Sequence, residues 1–240
     1  MKMKKLLILV MTAMTAMTAS AQIEDGNWYI TPKAGVSVAD MTSALFESKN
    51  LPFDYNADLK PIVSFTAGVD FEYALADQLG LAFGLTYARQ GCKTKDDLFK
   101  IKLDYLNIPI TFNYYPIPNC GLAIKAGVQV GFTMRKRMTI DGIEYNADES
   151  AQLINRVFIN RYTGQIISQP WFRNVENELS RKFNKVDCSI PLAVSYEYKS
   201  FQLEARYNLG LTKVMKEDPE SSKHSVFLFT LGYKINLDND

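Results

Sequence analysis

The sequence predicts an all-β chain folded as an eight-stranded antiparallel up-and-down transmembrane β-barrel, on three observations. Eight stretches alternate apolar with small or polar residues, the links between them run long and short in turn, and aromatic residues recur at one end of the stretches on the apolar parity. A two-residue alternation marks a strand with two unlike faces. Most stretches match the roughly 9 to 11 residues that a tilted strand needs to cross a bilayer.

The N-terminus stands apart from the barrel. Lys2, Lys4 and Lys5 precede the apolar core Leu6 to Val10, and Ala19-Ser-Ala21 closes the segment. Residues 1–21 therefore read as a cleaved secretory signal peptide, with the mature chain beginning near Gln22. The apolar core is too short for a spanning anchor, and no Cys follows the cleavage site to carry a lipid. Residues 22–240 suit a single barrel domain, since barrels commonly run to this length undivided. A formal net charge of +1 argues against a nucleic-acid partner. No apolar run reaches the roughly 18 residues of a spanning helix, so any membrane signal must come from alternation.

The predicted strands are Trp28 to Val38, Val63 to Tyr73, Leu81 to Gln90, Tyr105 to Tyr114, Leu122 to Arg135, Lys185 to Tyr196, Phe201 to Gly210 and Val226 to Leu237. Alternation alone also fits a soluble lipocalin-like barrel, which points its apolar face inward where a membrane barrel points it at lipid. The other face decides between them. In the second stretch Val63, Phe65, Ala67, Val69, Phe71 and Tyr73 alternate with Ser64, Thr66, Gly68, Asp70 and Glu72. In the fifth, Leu122, Ile124, Ala126, Val128, Val130, Phe132 and Met134 alternate with Ala123, Lys125, Gly127, Gln129, Gly131 and Thr133. Small and polar side chains fit the cramped interior of eight strands, and a solvent-facing sheet would carry long charged ones more freely.

Trp28, Phe71, Tyr73, Tyr114, Tyr196, Tyr198, Phe201 and Tyr233 lie at one end of their strands. They read as a periplasmic aromatic girdle, where the apolar band meets the head groups. Tyr87, Phe132, Tyr207 and Phe227 lie toward the opposite rim. The links agree with that orientation: Ala74 to Gly80, Tyr115 to Gly121 and Glu197 to Ser200 are short periplasmic turns, and Ala39 to Ile62, Gly91 to Asp104, Lys136 to Asn184 and Leu211 to Ser225 face outward. The third outer loop, 136–184, is the longest. Its segments Glu149 to Ile159 and Phe172 to Phe183 show near-helical apolar spacing, which suits one or two short surface helices. Loops this long within a compact fold are functional or disordered.

Pro109 and Pro191 fall in descending strands on the inward parity and cannot donate to the ladder, so each predicts a bulge or local bend. The inward charges are Lys33, Asp70, Glu72, Lys125, Glu204, Arg206 and Lys234. In a narrow lumen they must pair or keep water, because an unpaired buried charge is costly. They predict a salt-bridged, closed polar lumen with a structural role; a wide pore does not fit eight strands. Arg89, on the apolar parity, is placed to snorkel at the outer rim. Cys92, Cys120 and Cys188 fall at an outer end, in a periplasmic turn and on the lipid face. These are too far apart for a disulfide, whose Cα atoms must lie within about 7 Å.

No catalytic, cofactor-binding or metal-binding motif is present. The only His, His224, is expected in the fourth outer loop beside Ser221, Ser222 and Ser225, with Glu217 and Asp218 nearby. That composition is ordinary for a solvated loop, and no Gly-x-Ser-x-Gly elbow occurs. A non-enzyme is therefore expected, with an outer-membrane lipid-modifying hydrolase as a remote alternative.

A series of short phrases runs along the mature chain: Pro32-Lys-Ala-Gly-Val36, Thr66-Ala-Gly-Val69, Leu81-Ala-Phe-Gly-Leu-Thr-Tyr-Ala-Arg-Gln-Gly91, Leu103-Asp-Tyr-Leu-Asn-Ile-Pro-Ile110, Ile124-Lys-Ala-Gly-Val-Gln-Val-Gly131, Ala205-Arg-Tyr-Asn-Leu-Gly-Leu211 and Phe229-Thr-Leu-Gly-Tyr233. In this order they resemble the PorT-like outer-membrane β-barrels of the Bacteroidota. The resemblance implies the outer membrane of a Gram-negative bacterium, insertion by the barrel-insertion machinery, and partners among outer-membrane lipid and envelope or secretion proteins. It supplies no catalytic motif. One departure is the C-terminus, which runs past Tyr233 to Leu237 and then Asp238-Asn-Asp240, where family chains often end on an aromatic. Together these readings give a barrel with a structural or interaction role in the envelope. The alternative is a surface adhesin or ligand binder acting through the loop 136–184.

Overall fold

A computed structural model describes residues 23–42, 59–94, 99–118, 120–140, 143–146, 158–159, 166–167, 184–213 and 223–238. The predicted leader, 1–21, lies outside them. The strands are β1 (Trp28–Thr42), β2 (Leu59–Ala76), β3 (Leu79–Thr94), β4 (Phe99–Tyr114), β5 (Leu122–Ile140), β6 (Ile143–Asn146), β7 (Phe158–Ile159), β8 (Ile166–Ile167), β9 (Val186–Tyr198), β10 (Phe201–Gly210), β11 (Lys223–Tyr233) and β12 (Ile235–Asn236). Neighbours pair antiparallel in the order β1-β2-β3-β4-β5-β9-β10-β11, and β11 pairs back onto β1, which closes an eight-stranded barrel. β12 carries the β11 pairing one step further along β1, β6 folds back on β5, and β7 with β8 forms a separate ladder.

The faces fall as the alternation predicts. Thr66, Asp70 and Glu72 of β2 are buried, while Val63 and Phe65 are 67% and 61% exposed. Val128, Leu203, Phe229 and Leu231 likewise face outward, and Lys125, Gln202, Glu204 and Thr230 inward. A soluble carrier would hold the opposite parity, with its apolar set inside, so that alternative does not survive. The wall is an unbroken apolar belt around a polar core, which suits lipid outside and a filled interior.

The short connections are tighter than the sequence suggested. β2 and β3 are separated by Asp77-Gln78 alone, and β9 and β10 by Lys199-Ser200. Both latter residues have positive φ, 46° and 69°, as a type I′ hairpin turn requires to match strand twist. At the other rim the strands run well past the predicted ends: β3 reaches Thr94, β4 starts at Phe99, β5 reaches Ile140 and β11 starts at Lys223. Ladder hydrogen bonds continue where apolar alternation has ceased, so the predicted links 91–104 and 211–225 and the start of the loop 136–184 are partly strand. Within that loop, Phe158–Ile159 is strand rather than helix, paired with Ile166–Ile167; two apolar dipeptides rich in β-branched residues favour a ladder. The remainder of the two proposed helices lies outside the described residues.

Neither proline makes a bulge. Around Pro109 two residue pairs drop out of the β3–β4 ladder between Phe83↔Ile110 and Thr86↔Asn107, and the register resumes unchanged. Around Pro191 the β5–β9 ladder lapses in the same way between Ala126↔Leu192 and Gln129↔Ser189. The continuing register puts Gly84 opposite Pro109 and Gly127 opposite Pro191, so each ring meets a residue without a side chain. The gap costs ladder hydrogen bonds but not register. The irregularities sit elsewhere, between Pro61 and Thr66, Ala74 and Ala76, and Asp104 and Tyr105.

Candidate functional site

The seven inward charges occupy two clusters in the lumen. In the middle, Glu204 accepts from Lys125 Nζ at 2.8 Å through Oε2, from Arg206 at 2.9 Å through Oε1, and from Lys33 Nζ at 3.4 Å. Asp70 pairs with Lys33 and stands 3.4 Å from Arg206. Three cations thus share two carboxylates contributed by β2 and β10, with cations from β1, β5 and β10. Gln202 Oε1 accepts a further hydrogen bond from Lys125 at 3.1 Å. Glu204, Arg206 and Lys125 are buried almost completely, a setting in which charges are tolerated only as a connected network.

The second cluster lies toward the short-turn rim. Lys234 Nζ is 3.0 Å from Glu72 Oε2 and 3.5 Å from Glu197 Oε2, and sits over the rings of Tyr29 and Tyr115 at 4.7 and 5.0 Å. Glu72 Oε1 also accepts from Asn113 Nδ2 and from the Tyr115 hydroxyl, each at 2.8 Å. Tyr115 lies just past the end of β4, and burial followed by the Glu72 charge holds its pKa well above the ordinary phenol value. It therefore remains a donor at neutral pH. Below this cluster Ile23 is 1% exposed, packed with Tyr29, Ala74, Tyr115 and Ala123. The segment before β1 is held there by Gly26 N donating to the Ala74 carbonyl at 3.0 Å, so an apolar stopper underlies the ion pairs.

A void of about 10 Å³, bounded by Lys33, Thr86, Asn107, Gln129, Glu204, Arg206, Asn208, Leu228 and Thr230, is at the threshold for a single water. Thr86 Oγ1, Asn107 Oδ1 and Asn208 Oδ1 line it as buried atoms without a protein partner. The interior is thus a packed polar core at this level.

Sequence reasoning missed several members of these clusters. Asn113 and Gln202 lie on the inward parity within predicted strands and Glu197 one residue past another, so parity alone could have found all three. Ile23 carries no signal, because it precedes the first strand. Arg89 does not simply snorkel: its Nε donates to Asp104 at 2.7 Å, and Asp104 takes a second guanidinium, from Arg137, at 2.8 Å. His224 is not in a loop. It is a buried residue of β11, with Nε2 3.2 Å from the Tyr105 hydroxyl and the rings edge to face. Ser225 points to the other side of the same strand, where its Oγ donates to Tyr207 at 3.0 Å. The two cannot meet as base and nucleophile; Ser221 and Ser222 lie outside the described residues.

The eight girdle aromatics all lie toward the short-turn rim on outward positions. Trp28 packs on Tyr73 with centroids 4.9 Å apart, and Phe201 meets Tyr233 edge to face at 5.1 Å. Tyr114 is 48% exposed, and Tyr196 and Tyr198 are half-buried. Phe83, which the sequence reading left out, stacks on Phe71 at 5.4 Å and completes a run with Trp28. Cys92, Cys120 and Cys188 are free.

A family model described as an outer membrane protein beta-barrel domain matches residues 20–216. No curated protein matches the chain. Similar solved structures include Ail, the attachment invasion locus protein of Yersinia pestis, in complex with the heparin analogue sucrose octasulfate, at 10% identity over 88% of this chain and 99% of that one, TM-score 0.41. Neisserial surface protein A is similar at 11% identity over 87% and 96%, TM-score 0.43, and OprG of Pseudomonas aeruginosa at 14% over 88% and 97%, TM-score 0.40.

Proposed function

Because the chain belongs to the outer membrane protein beta-barrel domain family, matched over residues 20–216, we propose that it acts in the Gram-negative envelope as a closed barrel with a structural or interaction role rather than as a pore or an enzyme. The observation that carries this reading is the pairing of Glu204 with Lys125 and Arg206 across the lumen. Groups committed to one another at hydrogen-bond distance in a filled interior favour a plug over a conduction path. The short-turn rim, with its aromatic ring, faces the periplasm, and the long links face out. The PorT-like phrases support a finer reading, a Bacteroidota barrel that follows a cleaved leader, is inserted by the barrel-insertion machinery and serves envelope or secretion proteins.

A second reading is an adhesin or ligand binder acting through the long link after β5. It is favoured by the β5–β6 and β7–β8 ladders, which give that link built elements. Capture of partners from detergent-solubilised envelope, with and without residues 147–183, separates the two. Partners that survive the deletion support the barrel itself as the interaction body, and their loss assigns the interaction to the link. Planar-bilayer recording should show no steady conductance; open-channel currents would overturn the closed-lumen reading.

A further inference from the structure

Four buried polar atoms without a partner among the described residues belong to side chains that bound the same small void: Thr86 Oγ1, Asn107 Oδ1, Asn208 Oδ1 and Arg206 Nε. They come from two sides of the lumen. Thr86 and Asn107 are directly paired on β3 and β4, while Arg206 and Asn208 stand two positions apart on β10. In the closed order of eight strands β10 lies four steps from β3 in either direction, so it is the opposite wall.

The register makes room for the first pair. Gly68, Thr86, Asn107 and Gly131 form one rung across β2, β3, β4 and β5, and a Cβ built at Gly68 would lie 2.8 Å from Thr86 Oγ1, one at Gly131 2.5 Å from Asn107 Oδ1. On the opposite wall the terminal nitrogens of Arg206 are committed to Glu204 and Asp70, which leaves Nε as the end that meets no acceptor. A buried polar atom left unpaired forfeits its hydration, and four around one void point to a common partner. Their chemistry specifies it. The two amide oxygens accept, the guanidinium N–H donates, and the Thr86 hydroxyl does either. One water satisfies all four, donating to Asn107 and Asn208 and accepting from Arg206 and Thr86. A halide could only accept and would set a negative charge against two amide oxygens; a cation would face the guanidinium.

We infer that the lumen holds a binding site for a single water molecule, fixed between Thr86, Asn107, Asn208 and Arg206, that joins the β3–β4 wall to β10 and discriminates against ions of either sign. The void of about 10 Å³ matches the space one water centre needs, and four polar partners are as many as a buried water uses. Lys33 and Glu204, which also bound the void, are paired with each other and call for no counter-ion. The site rests on the filled lumen proposed above.

The test uses the whole mature chain folded in detergent, with heat-modifiable migration confirming the fold. Crystals grown with bromide in place of chloride should show one light atom about 2.7 to 3.2 Å from each of the four polar atoms, with no anomalous signal. A bromide peak there overturns the proposal in favour of an anion site, and a void with no density overturns it outright; neither result depends on a variant. In solution, leucine-methyl labelling reads the same site. Leu228 bounds the void and is 4% exposed, whereas Leu231, 57% exposed, stands on the lipid side of the same strand. Wild type should show magnetisation transfer from water to the Leu228 methyls and none to Leu231. Thr86→Val, which keeps the shape and removes one partner, should weaken the transfer; Thr86→Val/Asn208→Leu should abolish it, and Thr111→Val, away from the void, should keep it. A folded double variant with undiminished transfer overturns the site. Bilayer recording separates the two claims: open-channel currents with the water in place overturn the closed lumen alone, and a non-conducting barrel whose void takes bromide overturns the water site alone.

Discussion

Glu204 and Arg206 stand two positions apart on β10, so both project into the lumen, and Oε1 of the first lies 2.9 Å from a terminal guanidinium nitrogen of the second. Next to them Lys33 and Lys125 complete a shell of cations around the buried Glu204. Replacing Glu204 by Gln leaves three cations facing each other with Asp70 as their remaining carboxylate. The expected cost is about 3 to 5 kcal/mol, read as a lower urea midpoint for unfolding from detergent. Adding Lys125→Met to that variant should recover part of the loss, since it removes one of the stranded charges.

The mouth cluster should respond in graded fashion. Tyr115→Phe deletes one donor to Glu72 and is expected to cost about 1.5 to 3 kcal/mol. Lys234→Met strands Glu72 and Glu197 together and should cost more. A double-mutant cycle between the two positions, followed by equilibrium unfolding, should give a coupling of at least ~0.5 kcal/mol, because both groups meet at one carboxylate and at each other, 2.9 Å apart.

Val128, 59% exposed near the middle of β5, tests the lipid-facing wall. Val128→Arg should destabilise the protein in phospholipid by about 2 to 4 kcal/mol. Arg135 already places a charge at an exposed position of β5, so Arg135→Lys, the control, should be close to neutral. Equal tolerance at both sites would show that position 128 does not face hydrocarbon.

Gly127 is a steric prediction. A Cβ built there lies 2.8 Å from the Cα of Thr111 and presses on the carbonyl of Ile110. Both are backbone atoms that cannot swing aside. Gly127→Ala should therefore cost about 1 to 3 kcal/mol in unfolding equilibria and lower the yield of heat-modifiable barrel on refolding.

The two-residue period determined a great deal by itself, because in a closed sheet parity alone assigns each side chain to lipid or lumen. Trp28, Val63 and Leu203 went outward and Lys33, Glu72 and Arg206 inward without knowledge of any contact. Link lengths supplied strand order, since short connections force antiparallel neighbours. Other features depend on how far each strand slides against the next. Barrel closure with tilt brings residues distant in sequence to one height, so only the folded chain could show that Lys33 reaches Glu204, or that Lys234 lies between Glu72 and Glu197. The extra residue in β5 that turns Arg135 and Arg137 outward, and the continuation of β11 that draws His224 inside against Tyr105, have the same origin. Ladder pairing there persists through residues whose polarity alone reads as loop. Parity decided what each residue faces; stagger, set by hydrogen-bond register around the closed barrel, decided what it touches.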